Sequence, residues 1–342
     1  MKKQLQLILF ALAVSLLLAL TLGQALVFAR GERAPSSPNA DLNTQLWYSG
    51  WVNIAPGQTL TLNHNLGLAP EAMWVEVWFK DADGRAGINR IGYGGIEASG
   101  SWFGAYWHHF TANNIQITRL PNDKAVDQVF VKVWKIETPD YDSGWMDFSI
   151  GNTAIHHNLG ITNTDLLAAI WFSGTTKGIH NYGYGTLTVG TEEHGGFWMK
   201  LTDNNLEVYR RLYDEDAEQV RVVVTRPETP DYDSLVALGD WQDMAKGSVF
   251  TFTHNLNWDP SLLMVRAECL HPDGQGINHN YAGGDVYNTL AAGYHIQNLT
   301  ANSLHFVRRI YDTSCTRARI RIWKRARPIR PIYLPMLMLH PE

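Results

Sequence analysis

The feature that most restricts what this chain can fold into is internal repetition. "HNL" occurs at His64–Leu66, His157–Leu159 and His254–Leu256. Each copy is followed by "GI", then Asn or His, then a Gly/Tyr-rich turn: "GINRIGYGG" from Gly87, "GIHNYGYG" from Gly178 and "GINHNYAGG" from Gly276. Next come "FTANNIQITR" from Phe110, "LTDNNLEVYR" from Leu201 and "LTANSLHFVR" from Leu299. Each copy closes on a β-rich run: "VFVKVWK" from Val129, "VRVVVTR" from Val220 and "ARIRIWK" from Ala318. The heptapeptide "ETPDYDS" at Glu137–Ser143 recurs at Glu228–Ser234 and marks the two joints. A unit of about 90 residues is too long for a solenoid repeat and has the size of a small domain.

Within each unit the period is two. "TLTLNH" at Thr59–His64 alternates, and Ile115 and Ile117 share one face of the segment Asn114–Arg119. Val129, Val131 and Val133 lie opposite Phe130, Lys132 and Trp134. Such runs, separated by Gly, Asn, Asp and Pro, indicate strands of a sandwich or barrel. No stretch after residue 30 carries a helical period with caps. The expected fold is all-β: three tandem antiparallel β-sandwich domains of six or seven strands each, after an N-terminal export segment. The boundaries read as 1–29 signal peptide or membrane anchor, 30–46 linker, 47–138, 139–229 and 230–327 for the repeats, and 328–342 for a Pro-rich tail. Each small core is marginal by itself, and large aromatics help to fill it.

Lys2 and Lys3 precede an uncharged run from Gln4 to Ala29, and "VFA" at Val27–Ala29 is a small-residue cleavage site before Arg30. That pattern reads as a cleaved export signal. About 20 apolar residues also suffice to span a bilayer, so an uncleaved anchor is the alternative. Both readings place the rest of the chain outside the cytoplasm, secreted or anchored to the outer face of the membrane.

Recurrence separates the needs of the fold from local decoration. Asn65, Asn158 and Asn255 follow the strand in each "HNL", with Gly67, Gly160 or Asn257 two residues later, so a turn with positive φ is expected. His64, His157 and His254 beside that turn read as backbone-bonded structural groups, since no carboxylate recurs nearby to orient a catalytic ring. Arg119, Arg210 and Arg308 each have an Asp four positions on: Asp123, Asp214 and Asp312. An arginine at a strand end and an aspartate in the next loop form a charge-assisted staple, with a ligand role as the second reading. The cysteines, Cys269 and Cys315, are the only two in the chain. They fall where Phe79 and Val126 lie in the first repeat. A disulfide between them is expected if those two sites touch, and export permits it.

The Gly/Tyr loops are the candidate binding surface. Glycines let backbone approach a partner, and Tyr and Trp offer flat apolar faces with a polar edge, which suits sugar rings. The ligand-binding candidates are Asn89, Tyr93, Tyr106, Trp107, His180, Tyr184, Trp198, Asn278, Tyr281 and Tyr294. Tyr106 and Trp107 are neighbours on one strand, as are Phe197 and Trp198, so one member of each pair is expected in the core. Arg317, Arg319 and Arg321 share one face of the last strand. That face reads as solvated, with an anionic wall polymer as a possible partner.

The net charge of −5 gives no field for nucleic acid. No HExxH, Cys/His cluster, P-loop, GxSxG or GxGxxG is present. No metal, no cofactor and no enzymatic activity are therefore expected, and a polysaccharide-acting enzyme is the least favoured reading.

The unit resembles H-type lectin domains and similar sandwiches of phage tail fibres and bacterial surface proteins. The residues that carry the resemblance are "SGW" at Ser49–Trp51 and Ser143–Trp145, the strand after "HNL", the "LT" segment before the Arg, and the closing "VWK" or "IWK". Unit three departs from it, with "GDW" at Gly239–Trp241 in place of "SGW". The resemblance implies a six-stranded antiparallel sandwich, sugar binding and trimeric assembly. The expected function is multivalent recognition of extracellular or cell-surface glycans, with homo-oligomerisation possible. The alternative is a surface spacer or assembly module without a ligand.

Overall fold

The structure is a computed structural model, and it describes residues 46–81, 84–98, 101–136, 138–185, 187–189, 192–274, 276–279 and 293–324. The export segment, most of the linker, the Pro-rich tail and Tyr281 lie outside the described residues. The architecture is mostly β-sheet, all its named strand pairs being antiparallel. The only α-helix among the described residues is Ser234–Leu238.

The same two strand orders recur in each repeat. In repeat one, the strands run in the order Leu46–Asn53, Gln128–Lys135, Met73–Lys80, Ile88–Asn89, and a second sheet runs Thr59–Asn63, Asn114–Arg119, Ala105–His108. Repeat two gives Tyr141–Asp147, Gln219–Thr225, Leu167–Gly174, Gly178–His180, and then Gly151–His156, Asn205–Arg210, Gly196–Leu201. Repeat three gives Tyr232–Asp233, Arg317–Lys324, Leu263–Leu270, Ile277–His279, and then Val249–Thr253, Ser303–Arg308, Tyr294–Gln297. The second sheet of repeat two joins the first sheet of repeat three through Trp198 opposite His279 and Leu201 opposite Ile277.

Three local devices recur. Asn65, Asn158 and Asn255 sit at φ near 51–52°, the left-handed region that asparagine tolerates. Arg119 Nε, Arg210 Nε and Arg308 Nε donate to Asp123, Asp214 and Asp312 at 3.2, 3.1 and 2.8 Å. Their Nη1 groups donate to the carbonyls of Ile54, Phe148 and Met244, and the aspartates accept the backbone N–H of Val126, Ala217 and Cys315. Each arginine thus ties three chain segments at the sheet end. Finally, Ser49, Ser143 and Ser234 Oγ accept the N–H of Val131, Val222 and Ile320. In repeats one and two this serine sits in a strand bulge. In repeat three the strand turns instead into Ser234–Leu238, capped by Asp233 accepting from Leu235 N–H and ended by Gly239 at φ 83°.

Cys269 and Cys315 are disulfide-bonded, with a Cα–Cα distance of 5.1 Å. Phe79 and Val126 belong to one buried cluster in repeat one, as do Phe172 and Ala217 in repeat two.

Paired glycines fix the approach of two loops. A Cβ on Gly195 would lie 1.8 Å from Gly183 O, and one on Gly104 2.0 Å from Gly92 O. Gly144 also has positive φ, 63°, but faces open space. Gly195→Ala is therefore expected to lower stability by about 3 kcal/mol through clash plus backbone strain, and Gly144→Ala by about 1 kcal/mol through strain alone. Urea unfolding of the two variants side by side checks the ordering.

The repeats do not stand apart as three separate cores. The inner face of the strand Met73–Lys80 packs within its own repeat through Val75, Val77 and Phe79. Its other face, Trp74, Glu76 and Trp78, is also buried. Trp78 and Phe130 pack with Leu263, Val265 and Ile320 of repeat three, and Trp74 packs edge-on to Trp171 of repeat two. A large aromatic buries about 150–250 Å², so each shared ring adds roughly 4–6 kcal/mol of transfer free energy as an upper bound. Sharing relieves the shortage of core that a unit of this size faces alone.

The contacts between repeats run in one cyclic sense. Lys132 Nζ of repeat one donates to Leu263 O of repeat three at 2.6 Å. Arg221 Nη1 of repeat two donates to Glu71 O of repeat one at 2.6 Å. Arg319 Nη1 and Arg321 Nη2 of repeat three donate to Thr164 O and Leu166 O of repeat two at 2.7 and 2.6 Å. The Gly/Tyr loops follow the same order. Asn181 N–H donates to Trp107 O, and Arg90 N–H to Ile296 O.

Candidate functional site

The loops after "GI" reach across to the neighbouring repeat, and this decides where their side chains go. Asn89, His180 and Asn278 occupy equivalent positions and are fully buried. Each tethers its own loop. Asn89 Nδ2 donates to Ala125 O at 3.1 Å, His180 Nε2 bonds to Asp216 O at 3.1 Å, and Asn278 Nδ2 donates to Ser314 O at 3.2 Å. Asn89 Oδ1 and His180 Nδ1 accept the N–H of Ile91 and Tyr182, while Asn278 Oδ1 accepts Lys200 N–H from repeat two.

The candidate rings are used in the same way. Trp107, Tyr184, Trp198 and Tyr294 are all buried. Trp198 stacks on His279 at 5.4 Å, and Tyr294 on Phe306 at 4.9 Å. Tyr184 OH bonds to His279 Nδ1 at 2.5 Å, and its ring meets the edge of Tyr93 at 6.1 Å. Trp107 Nε1 donates to Tyr93 OH at 3.2 Å. Tyr93 and Tyr106 keep partial exposure, and Tyr106 packs edge-on against Tyr182 at 4.7 Å. The expectation of one core member per neighbouring pair holds for Tyr106 and Trp107 but not for Phe197 and Trp198, which are both buried. Arg319 and Arg321 correct the expectation of a solvated basic face: both are buried and paired, with Asp233 and Glu268. Repeat two covers the face of Arg319 and Arg321 that alternation assigns to water, through the carbonyls of Thr164 and Leu166, whereas Phe197 is covered by Tyr209 and Arg211 of its own repeat. His64, His157 and His254 are buried beside their turns, and burial lowers the pKa of each.

Two spaces remain. The first is a cavity of about 80 Å³ where all three repeats meet. Its wall includes Glu76 and Arg90 of repeat one, Ala169 and Tyr184 of repeat two, and Arg266, His279, Tyr294 and His295 of repeat three. Arg90 is hydrogen-bonded to Glu76, and Lys132 Nζ lies 3.7 Å from the second oxygen of that carboxylate. Burial pushes the Glu76 carboxyl up, but Lys132, Arg90 and Arg266 together hold it below the usual value. Burial, with help from Arg266 and Arg90, drives His279 down to about 3, and burial drives His295 down as well. Both rings are neutral at pH 7.

The second space is a groove of about 570 Å³ at the seam between repeats two and three. Thr164 and Asp165 form one wall, the joint from Arg226 to Tyr232 another, Val236 and Ala237 of the short helix a third, with Arg319 and Arg321 also on the lining. At the matching seam between repeats two and one, Trp145 Nε1 donates to Glu71 Oε1 at 3.1 Å. In repeat three the short helix follows the equivalent serine, Ser234, and its Val236 is 81% exposed, while Trp241 of "GDW" packs against the repeat-two cluster as Trp145 packs against that of repeat one. The groove forms from residues of two repeats, so no single stretch of the sequence displays it.

Among the described residues no group of three or more His, Cys, Asp or Glu is placed to hold a metal ion. Comparison of the chain with family models, curated proteins and solved structures finds no match.

Proposed function

We propose that this chain is a non-enzymatic recognition protein working outside the cytoplasm. In this reading it is built from three tandem β-sandwich domains closed on one another, and it binds a short saccharide of an extracellular or surface glycan. The observation that carries the proposal is the groove between repeats two and three. Its volume falls in the range of small-ligand sites, about 300–1,000 Å³. It offers the half-buried Tyr232 as a flat apolar face, and Arg226 and Asp231 as exposed polar groups around it. That mixture matches the apolar faces and hydroxyl rim of a sugar ring. The rings of the Gly/Tyr loops have a different role in this proposal: they hold the repeats together.

A glycan array probed with the full chain tests the reading, followed by titration of each hit against Val236→Trp and Arg226→Ala. Val236→Trp places a bulky ring on the groove wall and is expected to weaken binding at least about tenfold without lowering the melting temperature. Hits that bind Val236→Trp as tightly as the native chain would remove the groove from the proposal. An array without hits favours the second reading, a surface spacer or assembly module. The burial of Trp107, Tyr184, Trp198 and Tyr294 between repeats supports that alternative.

A further inference from the structure

We infer that the cavity where the three repeats meet is a binding site for one small monovalent anion, of the size of chloride or formate. The observation behind this is the arrangement of charge around it. Glu76, Ala169 and Arg266 hold equivalent places in three equivalent strands, opposite Lys132, Val223 and Arg321 in the register. Glu76 is satisfied by Arg90 and approached by Lys132. Arg266 stands differently. Its guanidinium lies over the Trp74 ring at 4.8 Å, and it has no hydrogen bond or ion pair among the described residues. A guanidinium carries five N–H donors and keeps its charge in proteins. Half-buried and facing the cavity, it is drawn to Glu76 through space without a hydrogen bond, so an acceptor that takes up some of these donors stabilises it further.

The surroundings favour an anion over other occupants. On the wall itself Arg90 and Arg266 outweigh the one carboxylate, Glu76, so a metal cation would meet net positive charge. Tyr294 OH on the same wall is buried and has no hydrogen-bond partner among the described residues, which makes it a free neutral donor. The neutral His279 and His295 add no charge. Repeat two supplies Ala169, whose small side chain leaves room at the equivalent place. About 80 Å³ exceeds the 10–15 Å³ or so that one water requires, and suits a monatomic or triatomic anion; a phosphate ester or a sugar is too large.

The test uses the full chain at fixed ionic strength, exchanging sodium gluconate, whose anion is too bulky for the cavity, for sodium chloride or sodium formate. The melting temperature is expected to rise by about 4 °C in a saturating manner with chloride. An equal rise with formate assigns the site to small carboxylates as well as halide; no rise with formate restricts it to halide. Chloride-35 NMR gives a second readout, with line broadening by the native chain that falls to a low residual level in Arg266→Met and Arg266→Gln. Equal melting temperatures in gluconate, chloride and formate, with no excess broadening, would overturn the inference, because the cavity then holds only water. Broadening that both variants retain would also overturn it, since the anion then lies elsewhere. Should neither variant fold, bromide soaked into crystals of the native chain decides: an anomalous peak beside Arg266 supports the site, and its absence removes it.

Discussion

Acidification from pH 7 to pH 4 is expected to remove about 6 kcal/mol of stability through two histidines alone. His180 is fully buried, and burial lowers its pKa to about 4; burial, assisted by Arg266 and Arg90, lowers that of His279 to about 3. Both titrate near 6.5 in the unfolded chain. A lowered folded pKa means that the unfolded state takes up protons first. The stabilisation is therefore complete above pH 6.5 and is lost as the pH falls from there toward the folded values. At pH 4 each group has given up roughly 3 kcal/mol. His108 and His295 are shifted downward too, and the carboxyls of Glu76 and Asp142 are also held low, so these act in the same direction. The Asp123 carboxyl, raised by burial, opposes them. Urea midpoints at pH 7, 5.5 and 4.5 read the slope; midpoints that coincide would show that the rings are solvated. The repeats supply a control. Asn89 and Asn278 make the loop tether that His180 makes, so His180→Asn is expected to keep the fold at pH 7 and to flatten about half of the two-histidine acid dependence.

Loss of the Cys269–Cys315 bridge is expected to be the second large effect. The bond closes a span of 46 residues and is completely buried. Loop-closure entropy for such a span corresponds to about 4 kcal/mol, in a model that assigns the effect to the unfolded chain. The double variant Cys269→Ser, Cys315→Ser should lower the urea midpoint accordingly, with a further loss from two hydroxyls in an apolar site. Thiol titration of the unfolded, unreduced native chain should find no free thiols. Two reactive thiols per chain would contradict the bridge, and an unchanged midpoint in the double variant would deny it a stabilising role. Repeats one and two hold Phe79 with Val126 and Phe172 with Ala217 at the same places, so the covalent link stands where the others use side-chain volume.

Much of the local design was legible in the residues. Period-two runs located the strands, and Asn65, Asn158 and Asn255 announced turns because few residues accept that backbone conformation. The Arg–Asp spacing announced the staple, since both groups lie close in the chain and need each other once desolvated. The helix Ser234–Leu238 was missed because five residues are too few to display a period. The sites were far less legible. The charges inside "MWVEVWF" and "LLMVRAE", Glu76 and Arg266, were the available signal for the central cavity, each flanked on both sides by apolar residues of its strand. Their significance depends on three strands meeting that are far apart in the chain.

By itself the sequence determined the β character, the triplication and the devices that each repeat carries internally, because those depend on contacts between near neighbours and on backbone preferences. Only the tertiary structure decided which face of each sheet meets water. A strand's alternation distinguishes two faces, but not whether a neighbouring repeat covers the second. That cover helped bury Trp107, Tyr184 and Trp198 and the arginines Arg319 and Arg321, and brought Arg266 into the centre with no hydrogen-bonding partner among the described residues.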